Sequence, residues 1–264
     1  MRRKLLMIGV PVLVVLAVAG FAGWWFIIRD DAPAAVQGVE EQFATDTTVA
    51  TTTPAADSTA AGTDATTGVT TAAAPTTAAA VAEAAASADG TWTVRQGENV
   101  FAGYRIEEEF VGGAVTSTAV GRSPAVSGTI EIAGSTVSAA QVEVDMTQLV
   151  SDSNRRDSQI RTGGLETENF PTATFVLTAP IDLGAVPTIG QVFTVTATGD
   201  LTMHGVTNSI SLPLEARWTG DTVDLTGSTP IVLADYGVSM EAFAGTVRVA
   251  PEGTLELALQ FVRA

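Results

Sequence analysis

Few residues in this chain could carry chemistry. His204 is the one histidine, and there is no cysteine. Histidine titrates near neutral pH, and His204 falls at a strand end beside a turn, on the polar side of an alternating run. A catalytic histidine needs an orienting carboxylate and a nucleophile, and no nucleophile-elbow pattern is present. Turn structure or a rim hydrogen bond accounts for it better. One histidine cannot make a His-x-x-x-His zinc site. The missing cysteines remove disulfides, thiolate ligands, cysteine nucleophiles and a lipidated N-terminal cysteine. No Asp-x-Asp-x-Asp-Gly calcium loop occurs either. The sequence therefore offers no catalytic residue, no metal site and no cofactor site.

Two charged groups remain. Glu107, Glu108 and Glu109 are consecutive. On a strand, Glu107 and Glu109 share one face and Glu108 takes the other. Like charges this close favour a solvated or salt-bridged rim over a paired acid and base. Arg155, Arg156 and Arg161 form the densest basic group after the N-terminus. They could bind an anionic headgroup through bidentate bonds, or pair locally with Asp152, Asp157 and Glu166. The second arrangement is favoured. The net charge of -16 argues against a nucleic-acid partner.

The elements that must position these residues are short strands. In Gln191–Met203, residues Phe193, Val195, Ala197, Gly199, Leu201 and Met203 fall on one face, and the threonines and Asp200 fall on the other. Ile210, Leu212, Leu214, Ala216 and Trp218 alternate in the same way, as do Leu255, Leu257, Leu259 and Phe261, and Val142, Val144 and Met146. Period two with one apolar face marks half-buried antiparallel strands. Further candidates are 92–96, 101–110, 115–121, 126–132, 172–179, 221–233 and 245–249. About eight to ten strands favour one barrel or sandwich. Two neighbouring long runs, with Val206-Thr207-Asn208 taken as their turn, favour an up-and-down barrel that is either filled or holds one small ligand. The ligand-lining candidates are Phe193, Val195, Ala197, Leu201, Met203, Leu212, Leu214 and Trp218. Residues 148–165 break the pattern and predict a crossover helix over a barrel end. Ser151 or Asp152 is its expected N-cap and Gly163-Gly164 its stop.

The rest of the chain divides into an anchor and a spacer. Leu5–Ile28 is almost unbroken apolar sequence and would span roughly 36 Å as a helix, enough to cross a bilayer. Arg2, Arg3 and Lys4 precede it, which predicts a cytoplasmic N-terminus with everything after Ile28 outside. A cleaved signal peptide is the competing reading, but the apolar run continues through Trp24, Trp25 and Ile28. Residues 1–29 are therefore expected to be a transmembrane anchor. Residues 30–89 are expected to be a disordered Ala/Thr/Pro-rich linker resembling an O-glycosylated stalk, with a short Ala-rich helix within 78–88. Residues 90–264 are expected to be the folded domain. The implied location is the cell membrane, single-pass, with the domain extracytoplasmic. Oligomeric state is left open.

Four segments in order carry a family resemblance: Asn154-Arg155-Arg156-Asp157, Asn169-Phe170-Pro171-Thr172-Ala173-Thr174-Phe175, Gly199-Asp200-Leu201-Thr202-Met203-His204-Gly205-Val206-Thr207, and Asp235-Tyr236-Gly237. Together, over about 91–263, they resemble the YceI family, the lipid- or polyisoprenoid-binding YceI-like domain. The resemblance implies an all-β, extended antiparallel lipocalin-like barrel whose core takes a polyisoprenoid or similar amphiphilic lipid. It carries no enzyme assignment. An enzyme acting on an envelope lipid and a ligand-free structural or adhesion barrel are the rival functions.

Overall fold

Alternation becomes pairing in a computed structural model, which describes residues 32–44, 87–110, 115–239 and 247–264. Strands β1 (Gly90–Val94) and β2 (Phe101–Phe110) form one interrupted limb, and β3 (Val115–Ser123) and β4 (Val126–Ala133) return beside it. β5 (Thr136–Asp145) pairs with β4, and the short β6 (Val150–Ser151) pairs with β3. β7 (Thr172–Leu177) follows on β5, and β8 (Ile181–Asp182) clips onto the start of β5. β9 (Val192–Met203), β10 (Val206–Trp218), β11 (Thr222–Val232) and β12 (Val247–Arg263) complete the order, each antiparallel to its neighbour. β12 then pairs with both β1 and β2, which closes a barrel of eight antiparallel limbs in up-and-down order. Closure leaves the main barrel no free edge to pair with another chain.

The β9–β10 hairpin shows why the sequence folds this way. Ala197 lies opposite Leu212, Val195 opposite Leu214 and Phe193 opposite Ala216, so two apolar faces meet in register. Its turn is His204-Gly205, not Val206-Thr207-Asn208, which belong to β10. Both turn residues have positive φ, 53° and 74°. This is the geometry that matches strand twist in a two-residue hairpin. Gly199 has a different role: a Cβ there would lie 2.4 Å from the Phe175 ring, so only glycine lets that ring cross β9. β12 is continuous, where the sequence pattern suggested two strands. Its register shifts between Val249 and Gly253, around Pro251.

Among the described residues, two short α-helices flank the barrel. α1 (Val39–Gln42) belongs to an N-terminal segment, and α2 (Asn154–Thr162) lies between β6 and β7. α2 fulfils the expected crossover helix and ends at Gly163 as expected. Its cap, however, is Ser153, whose hydroxyl accepts from the Arg156 N–H. Ser151 lies in β6, and its N–H and hydroxyl both donate to Asp157 Oδ1.

The N-terminal segment departs from the linker expectation. Residues 32–43 pack on the outside of the barrel, and Val39 is fully buried. Ala/Thr-rich composition hides this because the contact needs one apolar side chain and several backbone groups. The remainder of the linker, including most of the 78–88 stretch, lies outside the described residues, as does Leu5–Ile28. Among the described residues, no helix is long and apolar enough to cross a membrane.

Candidate functional site

Inward side chains from every limb of the barrel line one cavity of about 210 Å³. Apart from Tyr104, Thr174 and Glu256, whose carboxylate is bound by Arg105 and Arg122 on the outer wall, every lining residue is apolar or glycine. All eight lining candidates, Phe193, Val195, Ala197, Leu201, Met203, Leu212, Leu214 and Trp218, face this space. They are joined by residues the sequence reading did not single out as lining, among them Ile130, Val142, Phe175, Leu225 and Leu257. The signal was present in the alternation of those strands, whose inward faces were predictable but whose common destination was not. Gaps between apolar walls contain no partner for a polar group, so such a space favours hydrocarbon over water.

The two ends differ. At one, Met146, Leu149, Ile160 and Leu165 bring the α2 connection over the cavity. Ile160 is the apolar contact of α2, and its neighbours carry a charged plug. Arg156 donates from Nε to Glu108 Oε1 at 3.1 Å and from a terminal nitrogen to Oε2 at 3.0 Å. The other terminal nitrogen donates to Asp152. Glu108 takes the salt-bridged alternative rather than the solvated one: it is the inward member of the run and is 8 % exposed. A desolvated carboxylate requires a fork-like donor, which arginine supplies. Burial lowers the tendency of Arg156 to be charged, but the bonds and charge of Glu108 outweigh this and hold its pKa above the ordinary arginine value. Burial likewise pushes the Tyr104 phenol well above its usual range, with Arg156 pulling in the opposite direction.

Of the local pairs favoured from the sequence, Arg156–Asp152 forms. The three arginines do not converge. Arg156 turns to Glu108, a partner absent from the sequence expectation, while Arg155 and Arg161 lie exposed on α2. Asp157 is engaged by Ser151, not by an arginine.

His204 and Tyr236 sit near the same end. His204 Nδ1 lies 3.0 Å from the Tyr236 carbonyl oxygen, and its ring lies 4.3 Å from the Phe170 ring centroid. His204 Nε2 and the Tyr236 hydroxyl are buried, and among the described residues His204 Nε2 has no hydrogen-bond partner. Burial also raises the Tyr236 pKa. Among the described residues no carboxylate orients His204, which acts as the pin between a hairpin turn and the Leu233–Tyr236 3-10 turn. Among the described residues, no group of His, Asp or Glu is placed to hold a metal ion.

A closed up-and-down barrel with an apolar interior and one helix-covered end defines a class of small antiparallel barrel domains that enclose a cavity. The YceI-like domain family matches residues 92–261, and the chain belongs to that family. A "UPF0312 protein" of Shewanella sp. (strain ANA-3) is 32% identical over 156 residues, covering 56% of this chain and 76% of that protein. Another, from Vibrio parahaemolyticus, is 34% identical over 108 residues, covering 38% of this chain and 53% of its own length. Among solved structures, a polyisoprenoid binding domain from Saccharophagus degradans, implicated in plant cell wall breakdown, matches with a TM-score of 0.53 at 18% identity. That match covers 66% of this chain and 98% of the other and supports the common fold.

Proposed function

We propose that the protein is a membrane-tethered, extracytoplasmic binding protein for a polyisoprenoid or other long-chain amphiphilic lipid held inside the barrel. The observation that carries this reading is the cavity, whose walls are apolar on every limb. The described relative that binds polyisoprenoids supports the ligand class. The apolar Leu5–Ile28 run with its preceding basic residues supports the tether. Family membership and the polyisoprenoid-binding relative favour action by binding over turnover.

Transfer of hydrocarbon from water supplies the binding energy, about 0.8 kcal/mol per buried CH₂ before ordering costs. Each five-carbon isoprene unit therefore adds roughly 4 kcal/mol of gross stabilisation. A cavity of about 210 Å³ limits how many units fit without rearrangement of the lining. Affinity should rise with prenol length and then level off. Titration of the wild type with prenols of increasing length, followed by native mass spectrometry, tests this. Ala197→Trp, on the inward face of β9, should abolish binding while circular dichroism still shows a folded barrel. Overpacking costs roughly 1–3 kcal/mol and must be checked in parallel. Absence of saturable, length-dependent binding to the wild type would overturn the reading.

A further inference from the structure

Residues 32–43 cross the barrel's waist. The Pro33 carbonyl accepts from Arg105 and the Ala34 carbonyl from Arg122, both at 2.6 Å. The Val39 N–H donates to Glu215 on β10, also at 2.6 Å. Arg105 and Arg122 stand on β2 and β3 and Glu215 on β10, so the strap reaches across the outer faces of β12 and β11 between them. Phe43 ends the strap against the apolar cluster around Trp92 and Trp218, and Ala88, where the chain resumes, belongs to that same cluster.

We infer that this strap fixes how far the barrel can stand from the lipid surface, and that the Ala/Thr-rich segment 44–86 does not set that reach. The inference rests on the proposed tether. If the apolar segment ends at Ile28, five Cα–Cα steps separate it from Pro33, a reach of roughly 18 Å when fully extended. The contacts of Pro33, Ala34 and Val39 fix the chain to the barrel wall from that point on. Phe43 and Ala88, on either side of segment 44–86, both pack in one cluster of the barrel. The contour length of 44–86 therefore adds nothing to that reach.

The chain has no cysteine, so a dye can be placed at Val186→Cys, an exposed site, in the full chain reconstituted into phosphatidylcholine vesicles carrying an acceptor lipid. Energy transfer reports the height of the dye above the bilayer. A 30-residue Gly/Ser insertion between Asp31 and Ala32 should lower transfer severalfold, and the same insertion between Thr66 and Thr67 should leave it unchanged. Equal loss from both insertions would overturn the inference while leaving the tether intact. Failure of the wild type to associate with vesicles would overturn the tether, and the inference with it. Hydrogen exchange of the same proteins supplies the control for folding. A protected Val39 amide is expected in the wild type and in both insertion variants, and an amide exchanging at the rate of an unstructured chain would show that the strap is not docked.

Discussion

Two regions of the barrel bury carboxylates against arginines, and they do so in opposite ways. At the α2 end, Glu108 points inward and meets a single arginine from a helix capped by its own Ser153. On the outer wall, Glu256 has 2% of its side chain exposed, yet it points away from the core. It is shared by Arg105 and Arg122, at 2.9 and 3.0 Å, and what covers it is the 32–43 strap. Arg122 also lies over the Phe101 ring, 4.0 Å from its centroid. The first pair is buried because the fold closes over a cavity end. The second is buried because a remote segment lies down on a polar wall. A charge with one partner in the interior has nowhere to turn when that partner is removed, whereas a charge shared by two partly exposed arginines can relax into water.

The largest effect expected from this contrast is at Arg156. Arg156→Ala leaves Glu108 desolvated and unpaired, at a cost of about 3–5 kcal/mol. Replacing both residues with apolar ones, Glu108→Leu and Arg156→Met, should cost far less than either single change, because the penalty belongs to the orphaned charge and not to the loss of attraction. Thermal unfolding of the four proteins of that cycle measures the coupling. Additive single-mutant costs would refute the account of this end.

Removal of the strap comes next. A protein beginning at Ser87, which keeps the Ala88 carbonyl that accepts from the buried Trp92 indole, loses the buried Val39 side chain, about 1.5–3 kcal/mol by itself, together with hydrogen bonds to Arg105, Arg122 and Glu215 whose charged partners return to water. A net loss of about 2–4 kcal/mol is expected, and a fall in Tm of roughly 4–16 °C for a domain of this size. A protein beginning at Ala32 with segment 44–86 shortened should unfold near the wild-type temperature. Glu256→Ala is expected to cost less, about 1–2 kcal/mol, since its arginines keep carbonyl acceptors on the strap. The result that would collapse the distinction between the two regions is a Glu256→Ala cost as large as that of Arg156→Ala.

The same contrast explains what could be read in the sequence. The inward face of β9 and β10 was legible because a strand with one buried side repeats every second residue, and eight lining candidates all reached the cavity. The direction of Glu108 was not, since three adjacent glutamates contain no apolar residue to say which face is inside. The β9–β10 turn was misplaced by two residues, although the His204-Gly205 pair carries the glycine that marks it. β12 read as two strands because Pro251 and Gly253 interrupt its alternation at the bulge. The strap was hidden for a deeper reason: Val39 and Glu215 are 176 positions apart, and a contact made by one backbone N–H leaves no periodic trace.

The smallest expected effect uses the two tyrosines, Tyr104 and Tyr236, which both lie toward the α2 end and have no counterpart under the strap. Burial raises both pKa values above the ordinary value of about 10. In the unfolded chain these phenols ionise near that value, whereas in the folded protein they stay protonated to higher pH. Between the two values the folded state binds more protons, so stability falls as pH rises. The contribution is fully present below about pH 10 and is lost as pH climbs towards the folded values. The ultraviolet absorbance of tyrosinate should therefore lag behind that of free tyrosine on alkaline titration and rise only as circular dichroism shows the barrel opening. Stability to urea should decline over the same interval. Removing the strap should lower the starting stability without shifting the onset of ionisation in molecules that remain folded, because neither phenol depends on residues 32–43 for its burial. An onset that moved with strap removal would mean that the two regions are coupled through the barrel wall, and would contradict the independence on which the comparison stands.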